Sequence, residues 1–192
     1  MKRLALFVSG NGTNMENIIR QIQAGRIPAQ AALVICDNPE AVAMRKAESL
    51  KVPVVLIDRK KFSVKAAFES EILRQLELQK IDLIILAGFM RILSPGFVKR
   101  CKGKILNIHP SLLPQFPGAH GIREAFLAKV KETGVTVHFV DEGVDTGPII
   151  LQRSLAVNPG ETLDGLEAKI HELEYKIYPE AIRDVLSGKV KF

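Results

Sequence analysis

The stretch Asn107-Ile108-His109-Pro110-Ser111-Leu112-Leu113-Pro114 gathers groups that can do chemistry. Asn107 and His109 stand two residues apart at the end of an apolar run, so on a strand they point to the same side. They offer one reacting atom an amide donor and a titratable imidazole. Such a pair can stabilise a developing oxyanion and move a proton. Pro110 and Pro114 stiffen the chain beyond them. Asp145, in Asp141-Glu142-Gly143-Val144-Asp145-Thr146-Gly147-Pro148, is the candidate third member. Spacing alone does not say whether it reaches His109.

A second constellation is Ser9-Gly10-Asn11-Gly12-Thr13-Asn14. Two glycines let a backbone turn tightly and approach a ligand, and the free N–H groups of a following helix favour a phosphate. A dinucleotide fingerprint competes with this reading, with Asp37 as its ribose-binding acid. Met15 stands where the third glycine belongs, so a phosphate monoester fits better than a pyrophosphate.

Plainer readings stand beside these. A lone His at a strand end can be structural, an acidic glycine-containing hairpin can be only a turn, and a Gly-rich loop can be only a strand-to-helix connection. His109, His120 and Asp145 could form a zinc set, but the spacing matches no metal motif. Ser111 lacks the surroundings of an activated nucleophile. His138, in alternation with Thr136 and Val140, reads as structural, and His171 as part of a polar helix face. Glu174 lies at the edge of an apolar stripe, as a surface acid or as a carboxylate for sugar hydroxyls.

Alternating apolar runs and helical stretches must position these groups. Strands are predicted at Leu4–Val8, Ala31–Cys36, Val54–Ile57, Asp82–Ala87 and Ile105–Ile108. Between them lie helices over Thr13–Ala24, Pro39–Leu50 and Val64–Gln79, and another after Ser94-Pro95, where Ser caps and Pro takes the first helical position. This order implies an α/β fold: an open, doubly wound, mostly parallel sheet with helices on both faces. Ligands of such sheets bind at the carboxyl ends of the strands. Beyond His109 the pattern changes. A Pro- and Gly-containing loop runs to Gly121, and a helix is predicted over Ile122–Lys131. Strands at Gly134–Val140 and Pro148–Ala156 read as an antiparallel extension. A long helix from Thr162 to about Leu186 follows, with Leu163, Leu166, Ile170, Leu173 and Ile177 on one face. Pro179 is expected to kink or split it. The expectation is one domain over 1–192, with a Rossmann-like nucleotide-binding half at 1–108 and a second half at 109–192.

The 192 residues are 47% hydrophobic, enough for a substantial core, and no apolar run is long enough to span a bilayer. Met1–Val8 superficially resembles a signal peptide but breaks at Ser9-Gly10 and reads as a first strand. Two cysteines, Cys36 and Cys101, make no disulfide framework, which fits a cytoplasmic location. The net charge of +6 is scattered, and Trp is absent, so stacking platforms for nucleic acid are poorly supported. Attraction of small anions is the functional reading kept.

In order along the chain, Ser9–Asn14, Ala87-Gly88-Phe89-Met90-Arg91-Ile92-Leu93, Asn107–Pro114 and Asp145-Thr146-Gly147-Pro148 resemble the phosphoribosylglycinamide formyltransferase family of folate-dependent enzymes. The resemblance runs from the first strand to Tyr178-Pro179. It implies the formyltransferase fold and transfer of a formyl group from 10-formyltetrahydrofolate, as co-substrate, to the amino group of glycinamide ribonucleotide in purine synthesis. By the same resemblance Asn107, His109 and Asp145 are the catalytic trio. Gly12, Thr13 and Asn14 cradle the ribonucleotide phosphate, and Glu174 holds its ribose. Met90, Arg91, Ile92 and Leu93, with Val140, Asp141, Glu142, Gly143 and Val144, wall the folate, which Asn107 also contacts. Lys65 stands where the family often has Arg near the folate, and Lys129 where many members carry Gly. No metal, nucleic acid or membrane is implied, and the chain is expected to be a monomer or homodimer. Formyl-folate hydrolases and methionyl-tRNA formyltransferases share the Asn-His-Asp loop but normally carry added domains. From other classes, a nicotinamide-dependent reductase and a non-catalytic nucleotide-binding module remain.

Overall fold

The computed structural model describes residues 1–192. It contains a seven-stranded sheet of order β3-β2-β1-β4-β5-β6-β7. The strands are β1 (Lys2–Val8), β2 (Ala29–Cys36), β3 (Val54–Leu56), β4 (Leu83–Leu86), β5 (Ile105–His109), β6 (Glu132–Phe139) and β7 (Ile149–Ala156). The helices are α1 (Thr13–Gln23), α2 (Val42–Ser49), α3 (Lys65–Leu78), α4 (Pro95–Arg100), α5 (Gly121–Leu127) and α6 (Leu163–Leu186). The mixed, mostly parallel sheet with helices around it is the predicted class. The chain forms two compact units, Met1–Leu106 and Asn107–Phe192.

In the first unit β1 runs parallel to both β2 and β4. Leu4, Ala5, Leu6, Phe7 and Val8 are fully buried, which explains their unbroken apolar run: a central parallel strand is covered on both faces. The chain moves outward from β1 through β2 to β3, then returns to place β4 on the other side of β1. That reversal makes the carboxyl ends of β1 and β4 the switch point of an open α/β sheet. The Ser9–Asn14 loop leaves one of these ends and the 88–94 loop leaves the other.

The helix predicted from Pro39 begins only at Val42. Asn38 Oδ1 accepts the Glu40 N–H at 3.1 Å, and this side-chain turn holds the chain out of the helix through an extended Ala41. A turn of 3-10 helix at Arg59–Lys61, capped by the Asp58 carboxylate, was not predicted. Ser94 caps α4 as expected, accepting the Phe97 N–H at 3.2 Å with Pro95 in the first turn.

In the second unit β6 and β7 pair antiparallel, and α6 packs on both and on α5. Of the kink or split expected at Pro179, the split does not occur: α6 is one helix of 24 residues with Pro179 inside it. Ile177, Tyr178, Ala181 and Ile182 are fully buried on either side of the proline, so packing holds both halves where the missing hydrogen bond would release them. Helix α5 stops at Leu127, short of the predicted Lys131. Lys129 is left-handed at φ 51°, and the Lys129 and Val130 N–H groups turn back to the carbonyls of Phe126 and Ala125. That conformation favours glycine.

Candidate active site

Asn107 and His109 lie in β5, on one face, as their spacing predicts. Tertiary structure then adds what spacing could not. Asp145 Oδ2 lies 3.3 Å from His109 Nδ1, and Asp145 Oδ1 accepts from Asn107 Nδ2 at 3.4 Å. All three proposed catalytic residues therefore meet within the second unit. His109 is buried and Asp145 nearly so.

The other ring nitrogen of His109 is also engaged. Nε2 lies 2.7 Å from the carbonyl oxygen of Phe116, an acceptor only, so Nε2 carries a proton. Nδ1 faces a carboxylate, also an acceptor only. The ring is fully satisfied when both nitrogens donate, which is its imidazolium form. Phe116 and Asp145 reach these positions with left-handed backbone, φ 51° and 55°, a conformation in which non-glycine residues are strained. The Gly118 N–H donates to Asp145 Oδ2 at 2.8 Å.

His138, read from the sequence as structural, belongs to this cluster. Its Nδ1 donates to the carbonyl of Phe139 at 2.8 Å. Nε2 lies 3.3 Å from Asn107 Nδ2 and 3.5 Å from Asp145 Oδ1. It accepts from Asn107 when neutral and donates to Asp145 when protonated. The signal available in the sequence was a buried-strand histidine only a few residues before the Asp145 loop, and strand alternation explained it equally well. Burial pushes the Asp145 carboxyl up. The hydrogen bond from His138, the Gly118 N–H and the charges of His109 and His138 outweigh burial, leaving the carboxyl below its ordinary value.

The loop after His109 is fixed from beneath by Thr136. Its hydroxyl donates to the Ser111 carbonyl at 2.7 Å and accepts from the Leu113 N–H at 3.1 Å. Ser111 is fully buried and its hydroxyl donates to the Gln115 carbonyl, so it is a structural residue with no access to a substrate. His120 is exposed and precedes α5. No three His, Cys, Asp or Glu side chains are arranged to hold a metal, so the zinc set of His109, His120 and Asp145 has no geometric support.

Gly12 precedes α1 at φ 67° and, having no side chain, makes no side-chain cap hydrogen bond to the start of that helix. A Cβ here would lie 2.6 Å from the Ala43 Cβ and 3.0 Å from its Cα, so glycine is required by backbone and by space alike. Thr13 is exposed, and Asn14 is buried in the first turn. Asp37 is no free ribose acid: it is buried and its Oδ2 meets Arg91 Nε at 2.5 Å.

On the 88–94 loop Met90, Arg91 and Ile92 are exposed and Leu93 is buried. Lys65 opens α3 with its ammonium 3.8 Å from Glu69 Oε1. Val140 is half-buried, while Glu142, Gly143 and Val144 are exposed. Asp141 Oδ1 accepts from Gly143 N–H and Thr146 Oγ1, which fixes that turn from within. Glu174 sits deeper than the edge of a stripe: it is 5% exposed and its Oε2 lies 3.0 Å from His171 Nδ1. This hydrogen bond raises the His171 pKa against the opposing effect of burial, with the Glu174 and Glu167 charges adding to the rise. Tyr178 is pushed well up by burial and then by the Glu174 charge.

A family model described as Formyl transferase matches residues 2–182. The Phosphoribosylglycinamide formyltransferase of Bacillus subtilis is 46% identical, over 97% of this chain and 95% of its own length. The crystal structure of glycinamide ribonucleotide transformylase 1 from Geobacillus kaustophilus superposes with a TM-score of 0.94 at 50% identity, covering 97% of this chain and 99% of that one. The phosphoribosylglycinamide formyltransferase of Bacillus halodurans gives 0.94 at 44% identity, over 98% and 97%. With a matching model and relatives of this identity along nearly its whole length, the chain belongs to the formyl transferase family.

Proposed function

We propose that this protein transfers the formyl group of 10-formyltetrahydrofolate to the amino group of glycinamide ribonucleotide, a step of de novo purine biosynthesis. The observation that carries the proposal is the convergence of Asn107, His109 and Asp145 in one buried cluster. Relatives of full-length similarity bear the corresponding name.

Each residue has a physical task. The neutral substrate amine attacks the formyl carbon, and negative charge develops on the formyl oxygen. Asn107 Nδ2 and the Nε2–H of His109 supply donors to that oxygen. For His109 this means exchanging the Phe116 carbonyl for the oxyanion, a stronger acceptor because it is charged, and for Asn107 exchanging its long 3.4 Å contact to Asp145 while its other N–H stays with His138. Asp145 holds the imidazolium through Nδ1 and keeps the ring oriented. It also receives, directly or through water, the proton that the attacking amine must lose, and passes it to the departing folate nitrogen. His138 orients the Asn107 amide.

The remaining roles are assigned unit by unit. In the first unit Gly12, Thr13 and Asn14 receive the phosphate through N–H groups at the start of α1, with the Thr13 and Asn14 side chains adding donors. Lys65, Met90, Arg91, Ile92 and Leu93 contact the folate. In the second unit Val140, Asp141, Glu142, Gly143 and Val144 contact the folate, with Asn107, and Glu174 takes the ribose hydroxyls.

The test is direct. The purified chain is incubated with both substrates, and formylated ribonucleotide and tetrahydrofolate are quantified. Equal amounts of the two products are expected. Folate deformylation without formylated ribonucleotide would overturn the assignment in favour of a hydrolase, and formyl transfer only to another amine would overturn it in favour of a transferase with a different acceptor.

A further inference from the structure

The first unit contains two buried carboxylates that the chemistry above does not use, Asp37 and Glu69. Both are committed to one loop. Asp37, just beyond β2, grips Arg91 through Oδ2 at 2.5 Å, while its Oδ1 is buried without a partner. Glu69, on α3, accepts the Ser94 N–H at 2.7 Å through Oε1 and the Ser94 hydroxyl through Oε2. Ser9 adds two more ties: its N–H donates to the Gly88 carbonyl at 3.1 Å, and its hydroxyl accepts the Met90 N–H at 2.9 Å.

The loop so held is unusual in what it displays. Met90 and Ile92 are 74% and 69% exposed, large apolar side chains turned to water on a backbone pinned at both ends. A buried carboxylate costs desolvation free energy, and Asp37 recovers only part of it through one partner. A surface loop needing only to connect β4 with α4 has no use for two such groups. A wall that must meet a flat ligand without losing entropy on binding does.

We infer that Asp37 and Glu69 are positioning residues, a two-point clamp that presets the 88–94 loop for the folate. The inference rests on the folate role proposed above for Met90–Leu93. Neither carboxylate touches substrate: Asp37 acts through Arg91, and Glu69 through Ser94. Lys65 lies beside Glu69, so its ammonium is oriented by the same group.

The test uses Asp37→Asn and Glu69→Gln, near-isosteric changes that remove charge and weaken each grip. Amide hydrogen exchange is followed by mass spectrometry along the whole chain. Kinetics are measured for each substrate with the other saturating. Exchange in the 88–94 segment should rise about tenfold in each variant with little change elsewhere. The folate KM should rise about tenfold while the ribonucleotide KM stays within about twofold. Where Asp37→Asn does not fold, Arg91→Gln, made at the half-exposed end of the pair, releases the same tie and is judged by loop exchange alone, because Arg91 is itself assigned to the folate. Unchanged loop exchange, a uniform rise in exchange over the chain, or equal rises in both KM values would overturn the clamp. A wild type that exchanges as expected but transfers no formyl group would instead sink the folate reading, leaving the clamp to be judged by exchange alone.

Discussion

The Ser9–Asn14 loop and the cluster around His109 solve opposite problems. The loop is built from consecutive residues and, in the role proposed for it, receives its ligand mainly with backbone. Its defining side chain is the absence of one, at Gly12. The cluster is built from side chains at positions 107, 109, 138 and 145, held by left-handed backbone at Phe116 and Asp145. A backbone site is broken by adding atoms, and a side-chain site by removing them.

The largest effects should follow removal at the cluster. Asn107→Ala and His109→Ala should each lower kcat about 100- to 1,000-fold, the cost of one oxyanion donor. KM for either substrate should change far less. Losses confined to KM would show that these groups bind and do not stabilise the transition state. Asp145→Asn should fall in the same range, because an amide neither holds the imidazolium nor takes the amine proton.

Addition should break the loop. Gly12→Val places a β-branched residue at φ 67° and drives its Cβ into Ala43. The backbone strain alone costs about 1–2 kcal/mol. Melting temperature should drop, and the KM for the ribonucleotide should rise more than that for the folate. Asn14→Ala, a removal, should be milder, and equal effects of Asn14→Ala on both substrates would contradict a phosphate cradle.

Acid sharpens the contrast, because of these two regions only the cluster contains a carboxyl depressed by its neighbours. Asp145 titrates lower in the folded chain than unfolded, so its interactions stabilise the protein above the unfolded value and are lost as pH falls through the folded one. The stability gap between wild type and Asp145→Asn, by urea unfolding, should narrow from about pH 7 to about pH 3. A constant gap would mean that the carboxylate contributes no charge-dependent stability.

The smallest effect is expected at the His171–Glu174 pair, half open to solvent on the histidine side. The His171 pKa is raised on folding, so its contribution is present below the unfolded value and fades as pH rises through the folded one. His171→Ala should therefore destabilise more at about pH 5 than at about pH 9, by a small amount because water screens the pair. The opposite trend would show that Glu174 has another dominant partner.

Much of this was legible in the chain itself. Asn107 and His109 share a face because strand alternation is a local property. The Ser94-Pro95 cap of α4 and the glycines of the first loop are equally local. The alternation of apolar runs with helical stretches was enough to imply a doubly wound sheet. Other features needed the fold. Whether Pro179 splits α6 depends on what buries its neighbours, and the start of α2 on a side-chain turn at Asn38. That Asp145 reaches His109, that His138 reaches Asn107, and that Asp37 serves Arg91 are contacts across 36, 31 and 54 positions, as the residue numbers show. Local propensity carries no information about such distances. The sequence determined which groups exist and which way each strand or turn presents them. The tertiary structure decided which groups meet, because the pairing of distant segments is set by burial of the whole apolar core and not by any residue's own neighbours.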